Sequence, residues 1–259
     1  MKRLPRRLRH DEEATLVEHL DELRTRLIVS LVAVTLCFAV TYAFHHRLLH
    51  WLNRPLPERL HGKTITFGVA EPFITSFTVS FYAALLLALP ILLWQVWSFL
   101  APAFEEGAQR SVAVLVAFAS ALAVGGIAFG YFVALPAAVH FLTNYDTNEF
   151  NIQVRARDYY SFVTTVLLAV AIVFEVPVFV LALVRLRVLT AAKLRRHWRL
   201  GVVLMAALAV LLPGVDPVTT TFEMIPLVAL YLLSIVLAGV FERRWRPEAE
   251  PEAEPEAAT

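Results

Sequence analysis

Gln95-Val96-Trp97-Ser98-Phe99-Leu100-Ala101-Pro102 lies between two long uncharged runs, Phe73 to Leu93 before it and Ser111 to Phe132 after it. Each run reaches the ~20 apolar residues that a helix needs to cross a bilayer. A connection this short between two crossings predicts a tight turn at one membrane face. Its aromatics, Trp94, Trp97 and Phe99, suit the headgroup layer, where a ring with one polar edge is well solvated. Glu105 and Glu106 follow directly. An aromatic and acidic surface at the membrane predicts a docking place for something cationic and partly apolar.

The composition agrees with a membrane fold. Of 259 residues 58% are hydrophobic, and the mean hydropathy is +0.64. A soluble domain carries ~45–50% apolar residues. The net charge of +1 offers no global field for nucleic acid, so none is expected as a partner. The single cysteine, Cys37, sits inside an apolar run, which excludes a disulfide framework and a thiolate metal site.

Working outward, Leu16 to Arg26 repeats Leu16, Leu20, Leu23 and Leu27 at helical spacing, and Leu27 to Phe44 is uncharged. This is read as an amphipathic helix leading into the first span; the run is long for a cleaved signal peptide and lacks a small-residue cleavage site. His45 to Pro72 reads as a polar loop, and Asn144 to Asp158 as a second. Spans are expected near 27–44, 73–93, 111–132, 159–183, 200–212 and 224–241, the last two short for a ~30 Å core. Pro136 is expected to kink the helix that extends the third span. Gly126 and Gly130, four apart, fit close helix packing. Residues 1–15 and 243–259 are tails, the second acidic and disordered by composition. Lys and Arg number seventeen in the N-terminal arm, the 95–110 turn, the 185–199 loop and the C-terminal tail, against six in the alternate loops. This asymmetry places both termini in the cytoplasm. The fold class is all-α, a polytopic membrane protein of six transmembrane helices.

Few residues carry chemistry. Glu175 falls mid-span, where an ionised side chain costs ~2.5–3.5 kcal/mol even on lenient scales, so it faces protein or water. Its alternatives are a functional carboxyl or a helix-packing one. Glu22 stands beneath the first span, either as an i,i+4 partner of Arg26, worth ~0.3–0.5 kcal/mol, or as a carboxylate presented to a guanidinium, which favours paired hydrogen bonds. His45, His46 and His50 lack the accompanying Glu or Cys of a metal site and read as a solvated loop. The basic loop 185–199 suits anionic headgroups, making membrane lipids a partner. With no phosphate loop, nucleophile elbow or ligand cluster, the residues predict no enzyme, no cofactor, no catalytic residue and no metal. A proton-coupled secondary transporter using Glu175 is the rival class.

Four blocks in order resemble the TatC family, the multispanning core subunit of the twin-arginine protein translocase. They are His19-Leu20-Asp21-Glu22-Leu23-Arg24-Thr25-Arg26-Leu27, then Gln95 to Pro102, then Phe129-Gly130-Tyr131-Phe132, then Phe174-Glu175-Val176-Pro177-Val178. The resemblance spans Leu16 to Phe241. It implies a receptor for signal peptides carrying an Arg-Arg pair, which exports folded proteins across the cytoplasmic membrane on the proton motive force. It also implies oligomers with small single-span subunits of TatA/TatB type. By the same resemblance Glu22, Arg24, Phe99 and Pro102 belong to signal-peptide binding, Glu175 to an intramembrane partner helix, and Pro55 and Asp216 to the outer loops. The family's loop Glu falls here on Ala108, followed by Gln109 and Arg110, so Glu105 or Glu106 is expected to replace it.

Overall fold

The computed structural model describes residues 16–62, 64–100, 108–147, 149, 152–186, 188–211 and 217–245. The expected tail at 1–15 lies outside these, as do Pro102, Glu105, Glu106 and Asp216; of the tail expected to be disordered at 243–259, residues 243–245 are instead the end of the last helix and the rest lies outside. The described residues form helices, with one isolated bridge between Ile65 and Arg155 in place of any sheet.

Helix α1, Leu16–Ala43, runs without a break from the expected amphipathic segment into the expected span. No Gly or Pro interrupts it, so nothing ends the helix at the membrane surface. The short helix α2, His45–Leu52, occupies what the sequence reading assigned to loop. A turn containing the half-buried Pro55 and a 3₁₀ turn, Glu58–Leu60, lead to α3, Glu71–Leu100. The expected tight turn at Gln95 to Leu100 is therefore corrected. Those residues are the last described turns of α3, because no Gly or Pro follows Pro90 before Ala101 to break the helix. Trp97 is correspondingly 1% exposed and packs against Leu93, Val116, Ala119, Val178 and Ala182 instead of lying in the headgroup layer.

Helix α4, Ala108–Phe129, continues through a π-helical turn, Gly130–Ala134, into α5, Leu135–Asn144. The π turn absorbs Pro136, which stands in the first turn of α5, where a missing N–H costs nothing. Helices α6, Ala156–Val173, and α7, Val176–Arg185, form one crossing interrupted at Phe174 and Glu175, with Pro177 opening α7. The short helix α8, Ala191–Arg196, leads to α9, Trp198–Leu211, and α10, Pro217–Trp245. Helix α10 has 29 residues, so the final span is not short as expected; the flanking Thr and Arg residues extend it. Only α9, with 14 residues, stays short, at about 21 Å of rise.

Five stretches are long and apolar enough to cross a membrane: His19–Ala43, Glu71–Leu100, Ala113–Asn144, Ala156–Arg185 and Pro217–Glu242. This is an integral, multi-pass membrane protein. The chain alternates between two faces, which we call the terminal face, where α1 begins and α10 ends, and the opposite face, which carries α2 and the bridge.

The stretch Ala156–Arg185 is the centre. It is 61% buried over its apolar window, against 11% for α1. One core gathers α2, α3, α5 and α6 around Val79, Leu135, Val163 and Val166; a second joins α7 to α10 around Leu181, Met205, Ala209 and Ala238. Gly126 lets α4 approach this axis: a Cβ there would stand 2.9 Å from the Phe174 ring and 3.1 Å from the Ala171 backbone. Helix α1 packs chiefly along α3. The Thr41 hydroxyl donates to the buried Ser80 carbonyl at 2.8 Å across that seam.

The opposite face is tied by polar contacts. Tyr159 and Tyr131 donate their hydroxyls to the Leu52 and Trp51 carbonyls at the end of α2, at 2.6 and 2.8 Å; the Trp51 carbonyl also accepts the Arg54 backbone N–H at 3.1 Å. The Arg155 guanidinium donates Nε–H to Glu71 Oε1 at 2.9 Å and Nη2–H to Oε2 at 3.2 Å. Glu71 Oε2 also accepts the Phe67 and Gly68 backbone N–H groups, at 3.0 and 3.2 Å. Arg155 lies over the Phe67 ring at 5.3 Å. Hydrogen bonding to Glu71 raises the Arg155 guanidinium above its usual value, against the opposing effect of burial.

Candidate functional site at the terminal face

Two of the residues predicted to act together meet where α1 begins and α3 ends. Helix α1 carries His19, Glu22 and Arg26 on one face, since residues three and four apart are neighbours on a helix. Helix α3 brings Ser98 and Phe99 in its last described turn, and the residue four after Ser98 is a proline, which has no N–H to give its carbonyl. The His19 ring stacks on the Phe99 ring with centroids 4.5 Å apart. Arg26 Nε–H donates to Glu22 Oε1 at 2.9 Å, and Nη2–H donates both to that oxygen and to the Ser98 carbonyl at 3.1 Å. The two side chains are 23% and 30% exposed. Glu22 is thus neither buried nor free, and its i,i+4 pairing with Arg26 is present. Arg24, two residues on, projects from a different side of α1 and is exposed.

Chemically this corner offers a carboxylate, a helix C-terminal carbonyl carrying partial negative charge, and two stacked rings. Such a set binds a cation with directional N–H donors and an apolar stem. The acidic pair Glu105 and Glu106 and the residue Pro102, expected to complete it, lie outside the described residues.

Glu175 stands apart from this corner, at the break between α6 and α7. It is 4% exposed, and neither carboxylate oxygen meets a hydrogen-bond partner among the described residues. Phe174 beside it contacts Phe129 with ring centroids 5.7 Å apart, which ties two of the sequence blocks together. Pro177 cannot donate a backbone hydrogen bond, and this loosens the helix where the carboxyl sits.

His45, His46 and His50 form no metal centre. Among the described residues no group of three or more His, Cys, Asp or Glu could hold an ion. His45 instead hydrogen-bonds the Tyr42 carbonyl at 2.7 Å and packs on His46.

Three features escaped the sequence reading. The Glu71–Arg155 pair joins two segments taken as separate loops, and no local pattern announces a pairing across that distance. Glu223, 1% exposed in α10, was placed just before the last span; the continuous helical spacing from Pro217 was the available signal. The Ser98 carbonyl is a backbone acceptor, which composition never shows.

The chain can now be set beside known proteins. A family model described as "Sec-independent protein translocase protein (TatC)" matches residues 18–226. A Sec-independent protein translocase protein TatC of Deinococcus radiodurans is 33% identical over 234 residues, 88% of this chain and 87% of that protein. One from Campylobacter jejuni is 34% identical, covering 85% of this chain and 91% of that protein. TatCd of Bacillus subtilis is 31% identical, covering 92% and 97%. A crystal structure described as that of the "Twin Arginine Translocase Receptor- TatC" superposes with a TM-score of 0.74 at 27% identity, over 86% of this chain and 98% of that one. From the sequence blocks, the helical architecture and these likenesses together, the chain belongs to the TatC family of Sec-independent protein translocase proteins.

Proposed function

We propose that this translocase subunit is the receptor for twin-arginine signal peptides and the core of a complex exporting folded proteins across the cytoplasmic membrane. The observation that carries the reading is the corner itself. Glu22 and Phe99, far apart in sequence, meet across Arg26, His19 and the Ser98 carbonyl, a set suited to guanidinium and apolar contact. In this reading the signal's arginines pair with Glu22 and with Glu105 or Glu106 from the adjoining loop, Arg24 and Pro102 shape the surroundings, and the apolar part of the signal lies along the bundle. A guanidinium pairs with carboxylates through a planar fork that an ammonium lacks, so Arg-Arg is preferred over Lys-Lys.

In this reading the chain crosses six times, α9 included, with both termini and this corner in the cytoplasm, in line with the positive-inside count. Pro55 and Asp216 then belong to the outer loops. Glu175 offers a polar partner at mid-depth to a single-span TatA/TatB-type subunit or to the inserting signal. The driving force is the proton motive force, and the role is binding and transport without bond chemistry.

Photocrosslinking in membranes tests this, with probes at Glu22, Phe99 and Glu105 and peptides bearing Arg-Arg or Lys-Lys. Strong crosslinks with Arg-Arg, lost with Lys-Lys, are expected. No crosslink at any of the three in folded protein would sink the reading. The unpaired carboxyl of Glu175 favours one second reading, a proton-coupled transporter; export abolished by Lys-Lys separates the two.

A further inference from the structure

The contact at the terminal face has a feature beyond bringing residues together. Arg26 is a guanidinium, and it already sits in the guanidinium site. Its Nε and Nη2 groups converge on Glu22 Oε1, and Nη2 also reaches the Ser98 carbonyl at the end of α3. Glu22 Oε2 takes no hydrogen bond from the described residues. A second guanidinium arriving here finds one oxygen taken and a like charge beside it. Pairing through both oxygens, the strongest arrangement for arginine and carboxylate, requires Arg26 to leave. Nothing prevents that departure: the pair is part-exposed, and such surface pairs hold weakly.

We propose that Arg26 is a resident stand-in for the signal's arginine, occupying the Glu22 carboxylate and the Ser98 carbonyl until a twin-arginine signal displaces it. The inference rests on the receptor reading above. Arg26 is then an affinity-setting residue. It raises the threshold by the same factor for every cation that needs the site, while the preference for arginine stays with the Glu22 carboxylate, whose fork pairing a lysine ammonium cannot reproduce. It also keeps Glu22 aimed at α3, so the site is preformed when the signal arrives.

The test uses the full-length chain in lipid nanodiscs, with a synthetic Arg-Arg signal peptide and its Lys-Lys counterpart, on wild type, R26Q, R26K and E22Q. A competitor that must leave lowers the apparent affinity by the fraction of time the site is free. R26Q is therefore expected to bind both peptides about three- to tenfold more tightly, with the preference for Arg-Arg kept and R26K between. In wild type the Arg26 Nε–H resonance, assigned by its loss in R26K, shifts towards that of a free guanidinium when the Arg-Arg peptide is added and not when Lys-Lys is. An unchanged resonance with equal or weaker binding by R26Q, while E22Q still abolishes the Arg-Arg preference, overturns the proposal and leaves the receptor reading standing. Wild type with no preference between the peptides removes the receptor reading and this proposal together. Should R26Q fold poorly, the wild-type resonance and R26K decide.

Discussion

Glu71 and Glu175 are almost equally buried, at 5% and 4% exposure, yet they live in opposite conditions. Glu71 accepts two hydrogen bonds from Arg155 and two from backbone N–H groups. Glu175 accepts none from the described residues. The first joins two segments at the opposite face and is explained by what it holds. The second holds nothing and stands where the central crossing is broken. Burial alone does not say what a carboxyl does; a buried polar group without partners costs free energy that something else must offset.

The sharpest way to break the comparison is to treat both residues alike. Glu71→Ala strands a guanidinium and two backbone donors, and thermal unfolding in detergent should show a loss on the order of 5–10 °C in Tm. The region 53–70 should then become sensitive to protease. Glu175→Gln should leave Tm unchanged or slightly raised, because an uncompensated buried carboxyl is exchanged for a neutral group of the same shape, while export falls. Equal destabilisation by both changes would refute the distinction. Next in size is Gly126→Ala, which pushes a methyl into the Phe174 ring and the Ala171 backbone beside Glu175. Overpacking of this kind costs about 1–3 kcal/mol, read as a lower unfolding midpoint. Smallest is Tyr159→Phe, which leaves the Leu52 carbonyl without its donor at a cost of about 1 kcal/mol. The same change at the more exposed Tyr131 should have less effect.

Much of the architecture was legible because a bilayer imposes length and hydropathy on a helix. The runs around Phe73, Ser111, Tyr159 and Met224 all lie in crossings. The errors fall where aromatic residues were read as surface. Trp97 belongs to the core because α3 runs on to Leu100, and no local signal distinguishes a headgroup tryptophan from a packed one. His45 to Leu52 was read as part of a polar loop with the Pro55, Pro57 and Gly62 that follow; the tyrosines of α6 and of the π turn anchor it as a helix. At the site, Glu22, Phe99 and Glu175 were visible as chemistry. Their environments were not, since the Ser98 carbonyl reaches Arg26 from far along the chain and Glu175 meets no hydrogen-bond partner among the described residues. Arg26 was read as the bland partner of Glu22, and the pairing is there; its reach to α3 required three dimensions.

The seam between α1 and α3 carries one further consequence, which concerns leverage. Among the described residues two polar bonds cross it, Arg26 to the Ser98 carbonyl near one end and Thr41 to the Ser80 carbonyl deeper along. Two attachments on one seam fix register: sliding by a helical turn, about 5.4 Å, would break both at once. Loss of the first alone leaves a single pivot at Thr41. The long arm from there to Leu16 could then swing without sliding, turning an exchange of one guanidinium for another into an angular displacement at the mouth of the bundle.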